Sequence, residues 1–157
     1  MKSIALIDTT IFCNVLNIPN RNQACENVRA QLRTYAEDHV TLLLPMATIV
    51  ETGNHIAQIK HGRLRRIKAE HFVQYMKDAL DNTAPWTIPQ PLLDPDALRE
   101  YLDEFPDSAM RGVGLGDLSI IKEFERQCTL HTARRVFVWS LDDHLKSYDR
   151  APAPWAA

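Results

Sequence analysis

Four acidic residues stand where an α/β sheet would bring them together: Asp8, Glu51, Asp117 and Asp142. Asp8 closes the apolar run Ile4-Ala5-Leu6-Ile7. Glu51 falls in the first turns of the helix expected after a second apolar run, Val40-Thr41-Leu42-Leu43-Leu44. Asp117 follows a glycine-bearing stretch, and Asp142 comes just after Val136-Phe137-Val138-Trp139. Strand ends and the helix starts that follow them share one edge of a parallel sheet, which is also where ligands bind in such sheets. Crowded carboxylates repel, by about 4 kcal/mol for two charges at 4 Å and an effective dielectric of 20. A hard divalent cation removes that conflict, and an all-oxygen donor set suits Mg²⁺ or Mn²⁺ rather than zinc. The chemistry of such a site is metal-assisted hydrolysis, with phosphodiesters as the natural substrate class.

Each acid also has a purely local reading. Asp8, Asp117 and either Asp142 or Asp143 could be helix N-caps. Thr48-Ile49-Val50-Glu51 has the spacing of a capping box. The site reading gains weight because four unrelated caps would be scattered, whereas these four fall at one edge.

The elements that must position them follow from apolar period and from breakers. Ser3 to Ile7, Val40 to Leu44, Trp86 to Ile88 and Arg135 to Trp139 read as buried strands. Ile11 to Leu16, Arg21 to Glu37, Ala47 to Ile59 and Arg63 to Leu80 read as helices. Asp94-Pro95 has the form of an N-cap followed by Pro at N1, opening a helix to about Phe105. A loop from Pro106 to Gly116 follows, then a helix from Asp117 to Leu130 and a short last one after Asp142. Alternating strands and helices predict an α/β domain over 1–150, a central parallel sheet of four to five strands between helical layers. The proline-rich segment 151–157 reads as a flexible tail.

The 157 residues suit one domain, and a formal net charge of −2 gives no global field for nucleic acid. Three cysteines without CxxC spacing argue against a disulfide framework and a zinc site and favour a reducing, cytoplasmic setting. No apolar run is long enough for a membrane span.

With these residues in place, the chain resembles the PIN-domain ribonucleases, and among them the VapC-like toxins of type II toxin–antitoxin pairs. The resemblance lies in Ile7-Asp8-Thr9-Thr10, Ile49-Val50-Glu51-Thr52, Gly116-Asp117-Leu118-Ser119-Ile120, and Val138-Trp139-Ser140-Leu141-Asp142 with Leu145. It implies a PIN-like three-layer α/β/α sandwich and a Mg²⁺- or Mn²⁺-dependent endoribonuclease acting on single-stranded or looped RNA, leaving 5′-phosphate and 3′-hydroxyl ends. It makes Asp8, Glu51, Asp117 and Asp142 the catalytic metal ligands. Thr10 and Ser140 match small hydroxyl positions that hold a carboxylate or a metal-bound water on the substrate side of the site. It further implies a small antitoxin protein as partner, seated near the site, and a homodimer. The chain departs from compact members in the longer segment 81–110 and in ending on Ala151-Pro152-Ala153-Pro154, which puts a fifth strand in question.

The one dense basic run, Lys60 to Lys68, fits either a phosphate-tracking face or a solvated helix face. Arg111, close to Asp117 in sequence, is the better single candidate for a phosphate contact. Two rival classes remain: a phosphotransfer or phosphatase domain with Asp8 as phosphoacceptor, and a catalytically silent PIN-like RNA-binding or assembly module.

Overall fold

The apolar run after Ser3 forms a strand, Ile4–Ile7 (β1), buried on both faces. The computed structural model describes residues 2–89, 94–153 and 155. After β1 come α1 (Thr9–Val15), α2 (Cys25–Glu37), β2 (Thr41–Leu43), α3 (Met46–Ala57), α4 (Gly62–Leu80) and β3 (Trp86–Thr87). The second half supplies α5 (Pro95–Met110), α6 (Leu115–Leu130), β4 (Val136–Trp139), α7 (Asp143–Lys146) and β5 (Asp149–Arg150).

The sheet runs β3-β2-β1-β4-β5. β1 pairs in parallel with β2 and β4, and β2 with β3, while β5 lies antiparallel to β4. Because strand side chains alternate, β1 feeds two cores. Ala5 and Ile7 pack with Leu42, Phe137 and Trp139 beneath Phe12, Val28 and Ile56 of α1, α2 and α3. Ile4 and Leu6 pack with Leu43 and Val136 against Phe124 of α6. Val138 continues that face with Ile120 and Leu145. Helices therefore cover both faces, in a three-layer α/β/α arrangement.

The chain winds outward from β1 through β2 to β3, then returns through α5 and α6 to lay β4 on the other side of β1. The ends of β1 and β4 thus flank the point where strand order reverses, the crevice that open sheets use for ligands.

Several expectations need correction. The sheet is mixed, since a fifth strand exists, two residues long and antiparallel. It lies before the proline-rich tail, and polar contacts hold it in place of apolar ones: Arg135 pairs with Asp149, and Arg150 donates to the carbonyls of Cys128, His131 and Thr132. The helix opened by Asp94 passes through Pro106 to Met110, so the loop expected from Pro106 shrinks to the residues around Gly112, whose φ is +76°. α6 begins at Leu115 with Gly114 as N-cap, so Asp117 lies in its first turn and is not the cap. α2 starts at Cys25, and residues 17–24 form a loop with Asn17 and Asn20 at positive φ. In the tail, Ala153 N donates to Thr132 O at 2.8 Å, which fastens the chain there. Residues 154, 156 and 157, and 90–93 of the proline-rich segment, lie outside the described residues. Among the described residues, no helix is long and apolar enough to cross a membrane.

Candidate active site

Asp8 follows β1 directly and caps α1, its side chain accepting from Thr10 N. It is 3% exposed. Its Oδ2 also accepts from Thr10 Oγ1 at 2.8 Å and from Ser140 Oγ at 2.7 Å. Ser140 follows β4, and its hydroxyl in turn accepts from Asp142 N at 2.9 Å. Thr10 Oγ1 accepts from Leu141 N at 2.9 Å. A short network thus spans the reversal point and locks one oxygen of Asp8, while Oδ1 has no hydrogen-bond partner among the described residues.

Glu51 is placed by a different route. Thr48 is fully buried, and its Oγ1 donates to Ile7 O at 2.7 Å, pinning α3 to the end of β1. The capping-box expectation fails here, because the α3 N-cap is Pro45 and Thr48 faces the sheet. Glu51, one turn on, accepts from Thr9 Oγ1 through Oε2 at 2.8 Å. Its Oε1 lies over the backbone of Gly116, where a β-carbon would be 2.3 Å away. Asp142 caps α7 through Oδ1, accepting from His144 N and Leu145 N, and leaves Oδ2 unpartnered among the described residues. The Asp117 carboxylate makes no hydrogen bond among the described residues.

All four acids line one cavity of about 360 Å³, together with Thr9, Thr10, Cys13, Asn14, Arg21 and His55. Their fields meet at Asp117. Burial raises its carboxyl above the ordinary range, and Asp8, Glu51 and Asp142 push it the same way, while His144 draws it down. Asp8 and Asp142 are thus helix caps that also line the cavity, and the cap reading fails for Glu51 and Asp117. The acids carry the unpartnered oxygens a hard cation requires. Among the described residues, however, no three acidic, histidine or cysteine side chains already stand close enough to share one ion. Asp8, Glu51, Asp117 and Asp142 therefore fit a divalent metal by chemistry and by shared cavity, with their mutual repulsion uncompensated.

Other chemistries are poorly served. Burial pushes the Cys13 thiol up to about 11, so it holds its proton at neutral pH and is a poor nucleophile. Burial, reinforced by Arg21, lowers His55 below its ordinary value. No lysine lines the cavity, which weakens the phosphoacceptor reading of Asp8.

Arg111 is not brought to the site. It is exposed at the C-cap of α5 and is absent from the cavity lining. The basic run is largely absorbed in structure: Arg65 donates to Ile59 O, Lys68 to Leu16 O, and Arg66 pairs with Glu70. Residues the sequence reading passed over do reach the cavity, namely Thr9, Asn14, Arg21 and His55. Asn14 had a signal, being a lone amide in the apolar stretch Ile11 to Leu16. Arg21 had none, because its place depends on a loop held by distant partners. Comparison of the chain with protein-family models, with curated proteins and with solved structures gave no match.

Proposed function

We propose that the chain is a Mg²⁺- or Mn²⁺-dependent endoribonuclease of the PIN-domain kind, cutting single-stranded or looped RNA, and the toxin of a toxin–antitoxin pair. One observation carries the nuclease reading: four carboxylates from four separate elements line a single cavity at the reversal point of the sheet, each with an oxygen left unpartnered among the described residues. The toxin role, with a small antitoxin and a second copy as partners, rests on the motif resemblance alone.

Asp8, Glu51, Asp117 and Asp142 would hold the metal. When bound, a divalent cation makes a water acidic enough to attack and screens the charge that builds on the phosphoryl oxygens. The chain's own part is positioning. Thr10 and Ser140 fix Asp8 with Oδ1 free, and Thr9 fixes Glu51 against Gly116. Asp117 holds its proton to a higher pH than an ordinary aspartate, so metal binding at the site would weaken as pH falls.

The test is wild type against Asp8→Asn on total RNA with Mg²⁺ or Mn²⁺, sequencing the new 5′ ends, beside melting curves with and without Mn²⁺. Expected are chelator-sensitive cuts by wild type alone and a Tm raised by Mn²⁺ in wild type alone. At a Mn²⁺ concentration of 100 times Kd the stabilisation is about 2.7 kcal/mol. Intact RNA together with no Mn²⁺ effect would overturn the reading and leave a PIN-like binding scaffold in its place.

A further inference from the structure

The loop between α1 and α2 has a constructed shape. Asn14, buried in α1, donates through Nδ2 to Thr10 O at 2.8 Å and accepts from Ala24 N through Oδ1 at 2.9 Å. The far end of the loop is thereby tied to the helix that Asp8 caps. Ile18 is buried beneath it, and Arg21 N donates to Ile18 O at 3.0 Å. Asn22 donates to Asn17 Oδ1, and Gln23 to Asn20 O. These bonds set Asn20, Arg21 and Gln23 in the wall of the acidic cavity.

Arg21 is exposed there, and its guanidinium has no hydrogen-bond or ion-pair partner among the described residues. Other arginines of the chain are engaged: Arg29, Arg65, Arg134 and Arg150 on carbonyls, Arg66 and Arg135 on carboxylates. Arg21 lines the same cavity as the four carboxylates, yet no ion pair joins it to any of them among the described residues. Its field reaches Cys13 and His55, which line the same cavity. The cavity therefore has an acidic wall and, apart from it, a free planar donor suited to a phosphate. A chain carrying successive phosphates can meet both.

We propose that Arg21 is the phosphate clamp of this cavity, gripping a phosphate of a single-stranded polynucleotide beside the one that enters among the acids. The proposal rests on the reading of those acids as a phosphodiester-cleaving site.

The experiment measures binding of a fluorescein-labelled, mixed-sequence single-stranded RNA by anisotropy, in Ca²⁺ and over a salt series, with RNA integrity checked on gels. Wild type is compared with Arg21→Ala, Arg21→Lys and Arg63→Ala, the last removing an exposed cation of α4 that also has no partner among the described residues. Arg21→Ala should weaken binding about tenfold and flatten the log–log salt slope by about 0.7, the value for one phosphate of a single strand. Arg21→Lys should restore the slope without the full affinity, and Arg63→Ala should stay within about twofold of wild type. The clamp is overturned if wild type does not bind, if Arg21→Ala binds as wild type does, or if the Arg63 variant loses as much. Cleavage of the same RNA in Mn²⁺ separates the two readings. RNA held in an Arg21-dependent way but never cut would sink the nuclease and keep the clamp. RNA cut by an Arg21→Ala enzyme that also binds normally would do the reverse.

Discussion

Glu51 Oε1 rests against Gly116 so closely that a β-carbon at position 116 would stand 2.3 Å from it. α3 and α6 thus share one point at which the absence of a side chain on one helix makes room for a carboxylate on the other. Gly116→Ala should therefore separate stability from activity. Alanine is the better helix former by about 1 kcal/mol, and the only group to move is the end of a flexible side chain. The melting temperature should hold or rise, while RNA cleavage falls about 10- to 100-fold through displacement of Glu51. Unchanged cleavage by a stably folded Gly116→Ala protein would remove Glu51 from the site.

Ser140 joins two acids, donating to Asp8 Oδ2 and accepting from Asp142 N, and it is 4% exposed. Ser140→Ala should cost about 1–2 kcal/mol in denaturant melts, since it strips a buried carboxylate of a donor. Thr10 serves the same Asp8 oxygen, so Thr10→Val and Ser140→Ala should be coupled by at least about 0.5 kcal/mol in a double-mutant cycle. Strict additivity would show that the two hydroxyls act apart.

Asp117 contributes a pH dependence of its own to the metal-free protein. Its carboxyl is raised in the fold by burial and by Asp8, Glu51 and Asp142, so over the interval between its ordinary value and the raised one the native chain holds a proton that the unfolded chain has released. Stability contributed by that proton is complete below the ordinary aspartate value and is lost as pH climbs through the raised one. Asp117→Asn should match wild type in acid and exceed it in Tm at neutral pH. Melting both proteins across pH in chelator checks this, and a gain of equal size at every pH would contradict it.

β1, β2 and β4 were legible because each is an apolar run closed by Asp8, Pro45 or Ser140, and the topology follows from the alternation of strands with helices. Once those strands are parallel, Asp8, Glu51, Asp117 and Asp142 must end at one edge. Finer roles were not legible. Thr48 and Glu51 have capping-box spacing, yet the carbonyl of Ile7 and the hydroxyl of Thr9 claim them, and those partners exist only after β1 and α3 meet. Pro106 reads as a break, since a proline lacks an N–H and crowds the carbonyl one turn back, yet α5 continues past it. β5 has no apolar run to announce it, being held by Arg135 and Arg150. Arg21 was invisible because its position is set by Asn14 gripping Ala24 across the loop.

The two outermost strands have a consequence for how copies of this chain meet. β3 is Trp86–Thr87 between Pro85 and Pro89, and β5 is the charged pair Asp149–Arg150. Each rim of the sheet offers two residues of backbone, one bracketed by prolines and the other made of opposite charges, and such rims are poor templates for a foreign strand. Among the described residues the sheet is thereby guarded against fibril-like stacking along its edges.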